Sequence, residues 1–150
     1  MRSRVQVLHG VNLDTLGRRE VEHYGTVTLL ELEVAVKRYA SELGLVEPFF
    51  FQTNHEGEYC EALHSEAEVA DALILNPGAW THYSWAIRDA LAVAGVPAVE
   101  VHLSALSERA EREAWRQLSV VRDLCIGTVE GKGVEGYRDG LALLKAELER

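Results

Sequence analysis

Five short apolar runs, rich in β-branched or aromatic residues, recur along the chain and alternate with stretches of helical periodicity. They are VQVLH (5–9), PFFFQT (48–53), ALILNP (72–77), PAVEVHL (97–103) and LCIGTV (124–129). Runs this short and this continuously apolar suit strands covered on both faces. After the first run, Leu29, Leu32, Val36, Tyr39 and Leu43 recur at spacings of three and four, the mark of an amphipathic helix. Thr28 and Glu31 form a T-x-x-E capping box at its start, and Gly44 suits its end. The stretch after Asn54, the one from Ser84 to Ala94 ending at Gly95, the one from Glu108 to Leu118 and the one from Val134 to Glu149 predict further helices. Strands alternating with helices over short connections imply a parallel sheet with helices on both faces.

Five strands and five helices in 150 residues fit one domain, 1–150, in a three-layer α/β/α architecture. The expected arrangement is the flavodoxin-like, doubly wound parallel sheet with strand order 2-1-3-4-5. A formal net charge of −9 argues against nucleic acid or an anionic membrane as the main partner, though a local basic site can still hold a small anion. Cys60 and Cys125 stand far apart without a C-x-x-C spacing, which suits a reducing cytosol and neither a zinc-cysteine site nor a disulfide framework. The opening MRSRVQVLHG has too short an apolar run for a signal peptide, so a cytoplasmic location is expected.

In a sheet of this kind, chemistry lies outside the carboxyl ends of the strands, near the switch in strand order. Strand one delivers His9, Gly10 and Asn12 there; strand two, Asn54, His55 and Glu56; strand three, Asn76, Gly78 and His82; strand four, Glu100, His102 and Ser104. A lone histidine at a strand end is ordinarily a structural, hydrogen-bonded residue. NPGAW (76–80) is first of all a turn, and Arg18 and Arg19 read equally well as solvated loop charges. His102 differs, because Glu100 accompanies it on the same face of its strand.

Several chemistries fail on the residues. HEGEY (55–59) has Tyr59 where H-E-x-x-H needs its second histidine, and His82 with His102 lacks a clear third ligand, so no metal is expected. Cys60 falls in the second helix and Cys125 in an apolar run, where inert burial is expected of a thiol. None of the three lysines, Lys37, Lys132 and Lys145, sits inside an apolar strand, where a Schiff-base lysine would be desolvated. GVNLDTLG and GKG (131–133) are not Walker motifs, and a flavin- or nucleotide-binding reading rests on fold analogy alone.

Proton chemistry on an anionic small molecule remains. Arg19 near Tyr24 on one loop would favour a tyrosinate base, and a histidine oriented by a glutamate would be the matching general acid. Arg109, Arg112 and Arg116, after the fourth strand, could clamp a carboxylate. Together these groups suggest elimination of water from a hydroxylated carboxylic acid.

The same residues resemble a known family. GVNLDTLGRREVEHYG (10–25) is similar to the signature G-P-N-L-N-x-L-G-x-R-E-P-x-x-Y-G of type II 3-dehydroquinate dehydratases. QTNHEG (52–57), NPGAWTHYS (76–84), RDAL (88–91), VEVHLS (99–104) and GYRDGLAL (136–143) look like further blocks of that family in the same order. The resemblance implies dehydration of 3-dehydroquinate to 3-dehydroshikimate, in shikimate or quinate metabolism, with neither metal nor cofactor. Tyr24 would remove the C2 proton, Arg19 would keep it as tyrosinate, and Asn12 would hold the water or enolate oxygen. His102, oriented by Glu100, would protonate the departing C1 hydroxyl. Asn76, His82, Leu103 and Ser104 would hold the substrate's other hydroxyls and its carboxylate, and Asp89 would reach a neighbouring subunit's site. A trimer-based homododecamer with a mobile lid bearing Arg19 and Tyr24 is the assembly implied.

The chain departs from the family pattern at Val11, Asp14, Val21 and Trp80, and again at Ala105 and Ser107. Asp14 adds a negative charge that is expected to lie near a site for an anion. Without a gap, the family's carboxylate-binding arginine falls on Glu113. Counting backward from CIG (125–127), WRQLS (115–119) nominates Arg116, with Arg112 as runner-up, and implies three extra residues after the fourth strand. A diverged relative that binds a polyhydroxy carboxylate with weak or no turnover is the alternative reading.

Overall fold

The computed structural model of the protein describes residues 3–18 and 25–150. Its strands are β1 (Val5–His9), β2 (Phe49–Gln52), β3 (Ala72–Asn76), β4 (Ala98–His102) and β5 (Gly127–Glu130). Its helices are α1 (Leu29–Glu42), α2 (Glu56–Glu66), α3 (Trp85–Ala94), the single turn α4 (Leu106–Arg109) and α5 (Glu135–Leu148). All strand pairs are parallel and the order is β2-β1-β3-β4-β5, the expected doubly wound sheet.

The period of two along each strand sorts the core into two layers. Val5, Val7, Ile74, Val99 and Val101 pack against Leu32 and Val36 of α1 and Tyr137, Leu141 and Leu144 of α5. Leu8, Leu73, Leu75 and Ala98 face the other way, onto Tyr59 and Leu63 of α2 and Ile87 and Leu91 of α3. β1, β3 and β4 are buried along their whole length, which is why they read as unbroken apolar runs.

Local signals set the helix ends. The Thr28 hydroxyl accepts from the Glu31 amide at 3.2 Å and donates to the Glu31 carboxylate at 3.0 Å, realising the capping box. The Ser84 hydroxyl accepts from the Ile87 amide at 3.1 Å, and Gly95 closes α3 in the left-handed conformation. No described helix is long and apolar enough to cross a membrane.

Two expectations are corrected. The helix expected over Glu108–Leu118 is broken into α4 and a 3-10 turn at Ala114–Gln117. Between Leu106 and Val120 no residue is fully buried, so the segment has no apolar stripe to hold a longer helix on the sheet. The fifth strand begins at Gly127 rather than at residue 124, because Arg122–Leu124 forms a 3-10 turn first.

Candidate active site

β1 and β3 are neighbours, while β2 lies on the far side of β1, so the switch in strand order falls between β1 and β3. Two loops leave their carboxyl ends side by side. Gly10 permits the approach: a Cβ there would lie 2.2 Å from the Pro77 carbonyl oxygen. Gly78 answers it at φ +68°, with its Cβ position 2.5 Å from the Val11 carbonyl oxygen. The Gly10 amide donates to the Asn76 carbonyl at 2.8 Å and ties the loops together.

A cavity opens above this junction. Val11, Asn12 and Leu13 line it from the first loop, Asn76, Gly78, Ala79 and His82 from the second, and His102, Leu103 and Ser104 from the end of β4. Leu106, Arg109 and Arg116 close its remaining wall. Asn12 takes the left-handed conformation (φ 68°), the one described non-glycine residue to do so. Its amide donates to Asn54 Oδ1 at 2.8 Å, and Thr15 Oγ1 donates to its carbonyl at 2.6 Å, so the loop after β2 and the turn that follows Asn12 both hold it.

His102 Nε2 stands 3.4 Å from Glu100 Oε2, an electrostatic contact rather than a formed hydrogen bond. The Ser119 hydroxyl donates to the other carboxylate oxygen, Oε1. Glu100 is fully buried, and burial, the largest influence on it, favours the protonated form. The combined pull of His102, Ser119 and Arg122 nevertheless holds its carboxyl below the ordinary carboxylate value.

His82 Nδ1 lies 2.7 Å from the Leu118 carbonyl, which can only accept, so Nδ1 carries the proton. Burial lowers the pKa of this histidine, and the neutral ring keeps Nε2 as an acceptor. Trp115 meets the His82 ring edge-on at 5.2 Å and lies 4.2 Å beneath the Arg116 guanidinium. Arg116 Nε also pairs with Glu113 at 2.5 Å, a contact that does not use its terminal nitrogens.

The site therefore places a histidine with a buried carboxylate, a neutral histidine acceptor, two asparagines and two arginines around one cavity. It offers a proton donor beside a cationic wall inside an acidic protein. That set suits binding an oxygen-rich anion and protonating a leaving group on it.

The model of the family described as dehydroquinase class II matches residues 3–145. The chain belongs to this family. Within the family it is 48% identical to the 3-dehydroquinate dehydratase of Carboxydothermus hydrogenoformans, over 98% of this chain and 93% of that protein. It is 47% identical to the 3-dehydroquinate dehydratase of Syntrophotalea carbinolica, over 92% of this chain and 91% of that protein. The crystal structure of the type II dehydroquinase from Propionibacterium acnes superposes with a TM-score of 0.88 at 38% identity, covering 97% of this chain and 98% of that one.

Seen as a type II dehydroquinase, the chain brings Asn12, Asn76, His82, His102, Leu103, Ser104 and Arg116 to one cavity, with Glu100 behind His102. Asp89 lies on the exposed face of α3, away from that cavity. Arg19 and Tyr24 lie outside the described residues. Arg116 lines the cavity and Arg112 does not; Glu113, at the ungapped position, pairs with Arg116. Asp14 is likewise not a lining residue, for its carboxylate accepts from Asn54 Nδ2 at 3.2 Å. His55 is exposed at the start of α2 and does not line the cavity.

The expectation that His9 joins the site is corrected, and two further groups, Tyr137 and Ser119, carry contacts the sequence does not announce. His9 turns away from the cavity into the core, where its Nε2 lies 2.9 Å from Tyr137 Oη; Asn76 Nδ2 donates to the same oxygen at 3.1 Å. Tyr137 thereby joins the ends of β1 and β3 under the site, from 61 residues beyond Asn76. Its place in GYRDGLAL gives no sign of that partner. Ser119, the last residue of WRQLS, carries a fixed role on Glu100 that spacing alone does not reveal.

Proposed function

We propose that the chain is a hydro-lyase of the type II dehydroquinase kind, converting 3-dehydroquinate to 3-dehydroshikimate by anti elimination of water through an enolate. The observation that carries this reading is the His102–Glu100 pair set across one cavity from Asn12 and Arg116. The curated relatives named above, similar over nearly the whole chain, bear the same activity in their names.

In this reading Tyr24, held as tyrosinate by Arg19, removes the C2 proton of the substrate. The electron pair moves toward the C3 ketone, and Asn12 holds the resulting enolate oxygen or the water bound to it. The enolate then collapses, the C1–O bond breaks, and His102 gives its proton to the departing hydroxyl, which leaves as water. Arg116 binds the substrate carboxylate. His82, Asn76, Leu103 and Ser104 hold its hydroxyls and carboxylate, and Asp89 serves a neighbouring subunit. The chain acts in the cytoplasm as one domain, 1–150, assembled into a trimer-based dodecamer, with no nucleic-acid or membrane partner and no metal or cofactor.

Deuterium placed at one or the other C2 position of 3-dehydroquinate tests the geometry. Anti elimination removes the label trans to the departing hydroxyl and keeps the cis one, as mass spectrometry of the product reads. Loss of the cis label, or the absence of product from either substrate, would refute the reading.

A further inference from the structure

Among the described residues Glu100 is the one acidic side chain fully out of solvent. A carboxylate so placed is costly to keep charged unless its neighbours compensate it. Ser119 takes Oε1. Oε2 is shared, with His102 Nε2 at 3.4 Å and Arg122 Nε at 3.6 Å.

These two cations are not equivalent. In the reaction proposed above, His102 gives up a proton in each turnover, so its charge comes and goes. A guanidinium stays charged throughout. The other groups that face Glu100 carry no charge to replace it. Burial keeps the proton on Tyr59 of α2 and pushes the Cys125 thiol up to about 12. Burial favours the neutral form of His82, on the turn after β3.

Arg122 is itself anchored. Its amide donates to Ser119 Oγ at 3.1 Å, and its Nη2 lies 3.5 Å from Glu130, the neighbour of His102 across the β4–β5 ladder. The next residue, Asp123, is gripped by both terminal nitrogens of Arg88 from α3, at 2.5 and 2.9 Å.

We infer that Arg122 is a positioning residue for the acid step: it holds Glu100 as a carboxylate through the whole proton cycle of His102, so that the histidine is oriented and recharged after each turnover. This rests on the reading of Glu100 and His102 as the acid pair. Because burial pushes the Glu100 carboxyl up and Arg122 is among the groups opposing it, losing Arg122 moves its ionisation toward neutrality.

The test is kcat/KM for 3-dehydroquinate against pH in wild type, Arg122→Gln and Arg122→Lys. The acidic limb of Arg122→Gln is expected to rise by about half to one pH unit, a loss of about three- to tenfold at its foot. Arg122→Lys follows wild type. An Arg122→Gln profile that overlays wild type, or a Lys variant that behaves like Gln, overturns the inference. A wild type without dehydratase activity would sink the functional reading instead. Carbon NMR titration of the Glu100 carboxyl in the free protein, assigned with Glu100→Gln, then decides the role of Arg122 without turnover: a higher midpoint in Arg122→Gln supports it and an unchanged one overturns it.

Discussion

His102→Asn keeps a hydrogen-bonding side chain at the end of β4 but removes the proton donor. It is expected to lower kcat by about 10²–10⁴-fold with a smaller change in KM. Steady-state rates on purified protein check this, and a kcat within a few-fold of wild type would move the acid elsewhere. Arg116→Ala should instead act mainly through KM, because Arg116 lines the cavity beside His82 and stacks on Trp115. Arg112 is exposed and outside the cavity, so Arg112→Ala should leave both constants within about twofold. Much of this was legible in the residues: Glu100 and His102 at a spacing of two share a face in any strand, and WRQLS pointed to Arg116. What stayed hidden depends on partners distant in sequence. No spacing announces that Asn76 is braced by Tyr137, that Asp14 is held by Asn54, or that Asn12 adopts the left-handed conformation.

At the scale of the elements, the loops after β1 and β3 hold the cavity because two glycines let their backbones nearly touch. Gly10→Ala would drive a Cβ to 2.2 Å from the Pro77 carbonyl, so the loops must part. The expected result is a loss of about 1–3 kcal/mol of stability by denaturant unfolding, together with a raised KM. Thr28→Ala removes the capping box of α1. It should cost about 1 kcal/mol of stability, read by denaturant unfolding. The strands buried on both faces were readable because an unbroken apolar run admits few other placements. The segment after β4 was not, since its arginines and glutamates fit a helical period without an apolar stripe to fix one. There tertiary contacts, such as the Val120 amide donating to Thr81 and the Arg88 grip on Asp123, decide the path.

For the whole molecule, the buried His9–Tyr137–Asn76 network links the sheet to the last helix and makes stability depend on pH. Burial lowers His9 from 6.5 to about 4 in the folded chain. As pH falls, the unfolded chain takes up this proton first. The contribution is therefore complete above about 6.5 and is lost progressively down to about 4, at about 1.4 kcal/mol per pH unit. Urea unfolding at pH 7 and pH 5 should differ by about 2 kcal/mol through this group, and His9→Gln should flatten that slope whatever its effect on absolute stability. Glu100, with its lowered carboxyl, loses its contribution in a lower window, below the ordinary carboxylate value, so the two can be separated. The sheet order that puts β1 beside β3 is also what sets Asn12, His102 and Arg116 around one cavity. Dehydration of 3-dehydroquinate creates a conjugated enone, so ultraviolet absorbance follows turnover directly. The account predicts a steady, enzyme-dependent rise with the wild-type protein; no rise above the uncatalysed rate, under conditions where the protein is folded, would contradict it.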